Sequence, residues 1–417
     1  MWYTWIEAQR NLVRTARALG WPALAGYDGA SQLLQPLPPV PGFDIAAVTI
    51  GGNPVPVTEE IVDSTPFCAL RRFSRERDAL PSARRADPAI LLCAPLAGHH
   101  AVMLRDMVET LLEDGDVYLT DWTDARDVPL AEGDFGLDDC VLAVERFMHK
   151  IGGERMHVVA VCQACVPALA ALALVANSGA VPAASLALMG GPIDTRIHPS
   201  SLARFAQSHS VDWFCRTLID SVPQPYAGAG RRVYPGFYQQ IAMFTSFPQH
   251  KWALEAGYWS CRLAGNEAGI ARSLRDLGEY AAVLDMDEHY FLDTIRVIFQ
   301  EQRLARGTWR IGGRLVRPRA LSSLALCTVE GGRDNVTGAG QTHAAHALCG
   351  AIPESFRQQL TIAGCDHYGL FSGERWRDAI HPALVRFWRS LPARVAPNSA
   401  TNPTERQPST EVCDRPG

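Results

Sequence analysis

The sequence lacks the features that would place the protein in a membrane or on a nucleic acid. Its longest apolar run, Val166 to Ala176, is too short for a bilayer, which needs about 20 residues. The first residues show no basic segment followed by an apolar core, so no signal peptide is predicted. Lysine is nearly absent, but the net charge of −5 is mild and calls for neither nucleic acid nor an anionic membrane. We therefore expect a cytoplasmic protein without a membrane span and without a nucleic-acid partner.

Repeated cysteine spacing is also missing. The eleven cysteines are odd in number and lie in apolar segments, as expected for small buried side chains in a reducing compartment. Cys162 and Cys165 form a C-x-x-C pair, which also fits redox or zinc chemistry. No second C-x-x-C and no close Cys/His pair completes a metal site, and Gly338-Ala339-Gly340 lacks the strand and third glycine of a phosphate loop. We predict no metal and no cofactor.

From about residue 88 the pattern alternates apolar strands with helices, which predicts a mostly parallel sheet of the α/β class, covered on both faces. The predicted strands are 89–95, 116–122, 156–161, 185–191, 323–330 and 359–363, and the predicted helices are 99–113, 138–150, the one after Cys162, 341–349 and 375–390.

The alternation stops between residues 196 and 320, a segment that carries 17 of the 35 aromatic residues. An insertion of this size between two strands predicts a cap over the carboxyl ends of the strands, where such sheets bind ligands. We predict an N-terminal extension over 1–60, a core over 61–195 and 321–392, a cap over 196–320 and a disordered tail over 393–417, rich in Pro, Asn, Thr and Ser.

The segment from Met156 to Leu172 has the outline of a nucleophile elbow, a strand that turns sharply into a helix with the reactive side chain at its apex. The common pattern is G-x-S-x-G, whereas this chain has Ala160-Val161-Cys162-Gln163-Ala164. The small flanking residues suit a strained turn, and the positive end of the helix dipole favours a thiolate at Cys162.

A nucleophile on this fold needs an acid and then a histidine later in the chain. Asp334 follows the predicted strand that ends at Glu330, and His367 follows the next strand. His367 is expected to exchange the proton of the thiol, and Asp334 to orient the imidazole and stabilise its cationic form. For the oxyanion we expect the N–H of Gln163 and a second donor in the loop after residue 95, with Gly98 and His99 as candidates.

Each of these residues has an ordinary structural alternative. A cysteine at a strand–helix junction is more often a packed thiol, Asp334 alone fits a turn or a helix cap, and His367 alone fits a loop. The three in this order, each after its own strand, favour catalysis together. Cys165 is expected to be a buried helix residue.

Over residues 1 to 390 the chain resembles the intracellular poly(3-hydroxybutyrate) depolymerases of the cysteine type. The sequence segments that carry the resemblance are Leu92 to His100, Thr120 to Arg126, Val161 to Gln163, Met189 to Asp194, Arg232 to Phe237 and His367 to Gly369. The family often has proline after the glutamine of the elbow, where this chain has Ala164.

The resemblance implies an α/β-hydrolase fold with Cys162, Asp334 and His367 as the triad, and cleavage of short-chain 3-hydroxyalkanoate polyester on cytoplasmic storage granules. The exposed aromatic residues of the cap are expected to help the protein dock on the granule. The alternatives are a polyhydroxyalkanoate synthase-like acyltransferase, which a glycine-flanked cysteine would favour, a non-catalytic granule protein, and a general thioesterase or lipase-like hydrolase. The acyl acceptor and the oligomeric state stay open, a homo-oligomer included.

Overall fold

The computed structural model describes residues 3–7, 40–153, 155–246 and 248–392, and for 242–251 the backbone alone. The predicted tail over 393–417 and most of the predicted extension before residue 40 lie outside these residues. The described strands are β1 (Ala47–Ile50), β2 (Asn53–Thr65), β3 (Cys68–Arg75), β4 (Ala89–Cys93), β5 (Asp116–Trp122), β6 (His157–Val161), β7 (Ser185–Met189), β8 (Asp220–Ser221), β9 (Arg232–Tyr234), β10 (Met286–Asp287), β11 (Arg310–Ile311), β12 (Arg314–Leu315), β13 (Ala325–Gly331) and β14 (Arg357–Ile362).

In the described residues nine strands form one sheet in the order β1-β2-β3-β5-β4-β6-β7-β13-β14. The six strands from β5 to β14 in this order are parallel, and the three at the other edge pair antiparallel. Every residue of β6, β7 and β13 is buried. Because successive residues of a strand point to opposite faces, the centre of the sheet is covered on both faces. The predicted α/β-hydrolase fold with a mostly parallel sheet is confirmed.

The sheet begins before residue 61, the predicted start of the core. β1 and most of β2 precede residue 61, so the predicted boundary at residue 60 falls inside β2. The Pro-rich composition of this stretch hides the strands, because proline is tolerated at a sheet edge.

The described α-helices are α1 (Arg105–Leu111), α2 (Leu137–Ile151), α3 (Cys165–Asn177), α4 (Ser201–Ser208), α5 (Val211–Leu218), α6 (Gly236–Ser246), α7 (Pro248–Leu263), α8 (Glu267–Ala281), α9 (Glu288–Asp293), α10 (Arg303–Arg306), α11 (Ala345–Leu348) and α12 (His381–Ser390). Shorter 3-10 turns and two π-helical stretches, Thr294–Gln300 and Arg375–Ile380, connect them. In α3 every residue from Cys165 to Val175 is buried, as expected for a helix that is apolar on all sides.

The helix predicted over 99–113 is shorter than expected. A 3-10 turn over Ala101–Leu104 precedes α1. The residues before it pair with the insertion, since Leu284 N–H donates to Gly98 C=O at 3.0 Å and His100 N–H donates to Ala282 C=O at 2.9 Å. These backbone groups bond outside their own segment, so the chain does not continue α1 backward.

The insertion between β7 and β13 contains α4 to α10, an antiparallel sheet of β8, β9 and β10, and the β11–β12 hairpin. Its residues 282–285 contact the loops that follow β4 and β5: in addition to the pairing at Gly98, Ala125 N–H donates to Asp285 C=O at 3.1 Å. Both loops follow the carboxyl ends of parallel strands, so this part of the insertion lies at that edge of the sheet.

A buried ionic cluster fixes the insertion to the core. The backbone N–H of Asp285 donates to Asp124 Oδ1 at 3.1 Å, and Arg126 forms an ion pair with Asp124 at 2.9 Å. The carboxylate of Asp285 accepts the N–H of Gly236 at 2.7 Å and the hydroxyl of Tyr3. Burial raises the pKa of both Asp124 and Asp285, and Arg126 opposes that shift. The cluster therefore holds two carboxylates around one guanidinium.

Candidate active site

Cys162 lies at a sharp strained turn between β6 and α3. Its φ is +52°, a conformation that is uncommon for residues other than glycine, and a 3-10 turn over Cys162–Ala164 leads directly into α3. The side chain is partly exposed, whereas the residues before it in β6 are buried. The predicted elbow is thus present in the backbone, and strain of this kind is typical of functional sites.

Two glycines after β7 leave room for this turn. A Cβ at Gly191 would lie 2.2 Å from Cys165 Cβ and 3.0 Å from the carbonyl oxygen of Cys162. Gly190 has a φ of +59°, and a Cβ there would lie 3.2 Å from His367 Cε1. The segment after β7 therefore packs against both the elbow and the histidine.

Asp334 and His367 lie side by side beyond the ends of β13 and β14. His367 Nδ1 and Asp334 Oδ2 are 2.7 Å apart, and both side chains are about as buried as core residues, at 5% and 4% exposure. The other oxygen of Asp334 accepts the N–H groups of Val336 and Thr337, each at 2.9 Å. These bonds fix the carboxylate, which in turn orients the ring of His367.

Cys162 completes the set, because it interacts electrostatically with the ring of His367. Burial alone would lower the pKa of His367, but the interaction with Cys162 and the hydrogen bond with Asp334 outweigh it and raise the pKa to about 10. A histidine between a cysteine and a carboxylate is the arrangement that activates a cysteine nucleophile. The three residues predicted from the sequence are brought together.

Aromatic side chains surround this triad. The Phe371 ring lies 5.5 Å and the Tyr368 ring 6.0 Å from the His367 ring, both edge to face. Tyr280 of α8 contacts Tyr368 at 6.2 Å between ring centroids and brings the insertion to the triad. These aromatic residues were not predicted as site residues, although Tyr368 lies within one of the segments that carry the resemblance. No signal in the sequence singles out Tyr280 from the other aromatic residues of the insertion.

The predicted oxyanion donors lie in two places. Gln163 directly follows Cys162 and is partly exposed. Gly98 has a φ of +88°, and a Cβ there would lie 2.5 Å from Gln239 Cγ of α6, so the loop backbone packs closely under the insertion. His99 is buried, forms a β-bridge with Val283, and has its pKa lowered to about 4 by burial, which keeps the ring neutral. These contacts of Gly98 and His99 go to the insertion, and their role as oxyanion donors remains a prediction.

Cys165 points into the core. Its Sγ lies 3.2 Å from the carbonyl oxygen of Ala160, and burial raises the pKa of the thiol well above its ordinary value. In the described residues, the side chains spaced closely enough to hold a metal ion are Asp134, Asp287 and His289. Asp287 already pairs with buried Arg231 at 2.9 Å, which satisfies its charge. Neither Cys162 nor Cys165 belongs to this group, so the geometry does not favour the zinc alternative for the C-x-x-C pair.

A groove of about 1360 Å³ has walls from α1, α8 and the C-terminal helical segment, with side chains of both charges, such as Asp106 and Arg377. Tyr280, Tyr368 and Phe371 also line it. The triad residues do not line the groove, but Tyr368 and Phe371 contact the ring of His367 and so connect the groove to the triad.

A family model described as PHB de-polymerase C-terminus matches residues 190–391, just under half of the chain. Asp334 and His367 lie inside the matched range and Cys162 lies before it. Residues 190–391 thus match the C-terminal domain of the PHB depolymerases, and the prediction of an ester hydrolase is confirmed.

Solved structures with a similar arrangement include three hydrolases. The thioesterase domain from the curacin biosynthetic pathway has 11% identity and a TM-score of 0.41, over 80% of this chain and 99% of that chain. The 2-hydroxy-6-oxo-6-phenylhexa-2,4-dienoate hydrolase from Rhodococcus sp. has 15% identity and a TM-score of 0.41, over 81% and 100%. The monoacylglycerol lipase of Paleococcus ferrophilus has 10% identity and a TM-score of 0.41, over 73% and 96%.

A search of curated proteins found no match to the chain. Among the helices of the described residues, none combines the length and the apolar character that a membrane crossing requires.

Proposed function

We propose that this chain, which carries the PHB depolymerase C-terminal domain, cleaves the ester bonds of amorphous poly(3-hydroxybutyrate) in storage granules inside the cell. Cys162 is the nucleophile, His367 the proton carrier and Asp334 the residue that orients it. One observation carries the proposal: a cysteine with a φ of +52° interacts with a buried histidine, whose Nδ1 lies 2.7 Å from a carboxylate oxygen.

In the first half of the reaction the Cys162 thiolate attacks the ester carbonyl carbon, and the carbonyl oxygen becomes an oxyanion. Backbone N–H groups, with Gln163 and the Gly98–His99 loop as candidates, stabilise it, and each such donor contributes roughly 3–4 kcal/mol. The carbon–oxygen bond then breaks, and the proton on His367 goes to the departing alkoxide. The products are a hydroxyl-ended chain and a thioester on Cys162.

In the second half water attacks the thioester carbonyl, and His367 accepts a proton from that water. The carbon–sulfur bond breaks, which releases a carboxylic acid and restores the thiolate beside a protonated His367. Asp334 remains ionised throughout and stabilises the cationic ring in both halves.

The nucleophile is tested with full-length Cys162→Ala and Cys165→Ala variants on a water-soluble 3-hydroxybutyrate trimer. We expect Cys162→Ala to lower the hydrolysis rate by roughly a thousandfold or more, and Cys165→Ala to retain a Cys162 acyl adduct. Rapid acid quenching followed by mass mapping locates the acyl group. An adduct on another cysteine, or undiminished hydrolysis by Cys162→Ala, would contradict the proposal.

The direction of the reaction separates the depolymerase from the synthase-like acyltransferase. The protein is incubated separately with amorphous polymer and with 3-hydroxybutyryl-coenzyme A. We expect soluble acids from the polymer and no polymer from the thioester. Growth of polymer from the thioester would favour the acyltransferase instead.

A further inference from the structure

Helix α7 carries an exposed apolar stripe. The exposed fractions are 66% for Trp252, 57% for Trp259 and 88% for Leu263, and Ala256 between them is also exposed. At 100° per residue these four positions fall within a sector of roughly 60° on one side of the helix. Two exposed tryptophans and a leucine on one helix face are unusual for a surface that meets only water.

The opposite side of α7 packs against α8. A Cβ at Gly269 of α8 would lie 2.6 Å from Cys261 Sγ of α7, and one at Gly257 of α7 would lie 3.9 Å from Ser273 Oγ of α8. Gly257 and Cys261 are roughly opposite the stripe on the helical circumference. The stripe is therefore directed away from the contact that holds α7 in the fold.

The two helices also connect the stripe to the catalytic site. Leu254 of α7 and Ala271 of α8 line the groove that Tyr280, Tyr368 and Phe371 also line. The Tyr368 ring lies 6.0 Å from the ring of His367. Helix α7 thus carries the apolar stripe on its exposed side, and α7 and α8 together line part of the groove.

We propose that the α7 stripe (Trp252, Ala256, Trp259 and Leu263) is the surface by which the protein docks on its water-insoluble polyester. This inference rests on the proposed function, because a depolymerase must hold a water-insoluble apolar substrate next to its catalytic site. A polyester surface has no net charge to attract an ion pair, and it gains from covering apolar side chains. Indole rings combine a large apolar area with an N–H that can donate to an ester carbonyl.

Full-length Trp252→Gln, Trp259→Gln and the triple variant with Leu263→Gln are measured for co-sedimentation with amorphous poly(3-hydroxybutyrate) granules. We expect each tryptophan replacement to weaken granule binding by about tenfold, since burial of a large side chain contributes at least that factor. Hydrolysis of the soluble trimer stays at the wild-type rate, because the stripe does not contact the triad. Ala256→Leu, which enlarges the stripe, strengthens granule binding.

Ile61→Gln and Leu130→Gln are matched controls, since these side chains are 59% and 55% exposed at sites outside α7. Both keep wild-type granule binding. The proposal is overturned if the triple variant binds granules as the wild type does, or if the wild type itself fails to bind them. It is also overturned if phosphatidylcholine vesicles are bound as tightly as granules, or if sedimentation equilibrium shows that the stripe pairs two copies of the chain.

Failure of this inference differs from failure of the proposed function. Failure of the inference is seen in the granule-binding measurements alone. Failure of the proposed function is detected with the soluble trimer and the Cys162→Ala variant. Circular dichroism and the melting temperature verify that each variant is folded, and the single variants together with Ala256→Leu remain informative if the triple variant is not.

Discussion

At His367 burial and charge act on one ring in opposite directions. A buried imidazole without partners favours the neutral form, as at His99, whose pKa is lowered to about 4. Cys162 and Asp334 reverse this preference and raise the pKa of His367 to about 10. The two histidines lie on loops of the same sheet edge, so their protonation depends on their partners and not on burial alone.

This difference predicts how the stability of the protein depends on pH. The unfolded chain releases the His367 proton near pH 6.5, whereas the folded chain holds it to about 10. Between these values the His367 site holds a proton that the unfolded chain has released, so the contribution of this site to the free energy of unfolding falls as the pH rises, and it is complete only below pH 6.5. We expect urea unfolding at pH 6, 8 and 10 to show this decline, with a flatter one in His367→Gln.

Replacement of exposed His149 of α2 by glutamine is the matched control and keeps the wild-type decline. An equally steep decline in His367→Gln would show that other groups cause the pH dependence.

The elbow leaves no room for a side chain at Gly191. The methyl group of Gly191→Ala would overlap the Cβ of Cys165 at 2.2 Å and press on the backbone of Cys162, neither of which is the end of a flexible chain. We expect a loss of about 1–3 kcal/mol in the free energy of unfolding and a lower kcat, because the elbow must shift. Denaturant unfolding and trimer hydrolysis measure the two effects.

Gly278→Ala in α8 is the control for Gly191→Ala, since its methyl group meets only Pro41 at 3.9 Å. It is expected to be neutral or stabilising by up to about 1 kcal/mol. Equal effects of the two variants would argue against a special fit at Gly191.

The three triad residues could be predicted from the sequence, because they occur in the expected order along the chain and each follows its own apolar strand. The sequence does not indicate Gly190 and Gly191 as partners of the elbow, since their role depends on a close approach between separate strands. Tyr368 is hidden for the same reason: its contact with Tyr280 joins residues far apart in the chain.

Among the elements, the link between the loop after β5 and the insertion depends on one guanidinium. Arg126→Met would leave Asp124 and Asp285 buried without a counter-charge, which is expected to cost about 3–5 kcal/mol of unfolding free energy. Adding Asp285→Asn removes one of the two charges and keeps an oxygen for the N–H of Gly236, so the double variant regains part of the loss. Thermal and urea unfolding measure both variants.

The surface pair of Arg216 and Asp212 is the matched control. It has a similar separation of 2.6 Å, but its side chains are 78% and 65% exposed. Arg216→Met is therefore expected to cost less than about 1 kcal/mol. A loss of that small size in Arg126→Met would mean that the buried cluster does not hold the insertion.

The strands of the parallel sheet could be predicted to within a few residues because their apolar runs are continuous. β5 extends over the predicted residues 116–122 and β6 ends at the predicted Val161. The helix expected from residue 99 could not be placed, because its first residues satisfy their backbone groups on the insertion. The Pro-rich stretch before Pro56 was predicted to be an irregular extension or to lead into the first strands, and the bounds of β1 and β2 could not be placed because proline obscures their pattern.

For the whole molecule, Tyr280 joins the insertion to both loops of the catalytic site. Its ring lies 6.4 Å from His99 and 6.2 Å from Tyr368, and its side chain is almost fully buried. We expect Tyr280→Ala to cost about 3 kcal/mol or more in unfolding free energy and to lower kcat/KM for the trimer, because a cavity opens beside His367.

Tyr280→Phe retains the ring and is expected to keep most of the stability. Denaturant unfolding and trimer kinetics compare the two variants. Wild-type kcat/KM in Tyr280→Ala would show that the insertion does not help to shape the site.

The sequence predicts that a large aromatic insertion interrupts the sheet, but it does not predict which loops the insertion contacts. The contact is close at Gly98, whose C=O accepts the N–H of Leu284 and whose backbone packs against Gln239. If the insertion moves outward to admit a polymer segment or release a product, the Gly98 loop must either lose its contacts with the insertion or move with it. With an oxyanion donor in this loop, the movement of the insertion would also displace a catalytic group. An enzyme with the insertion displaced would then lack this oxyanion donor and would cleave esters slowly until the insertion returned.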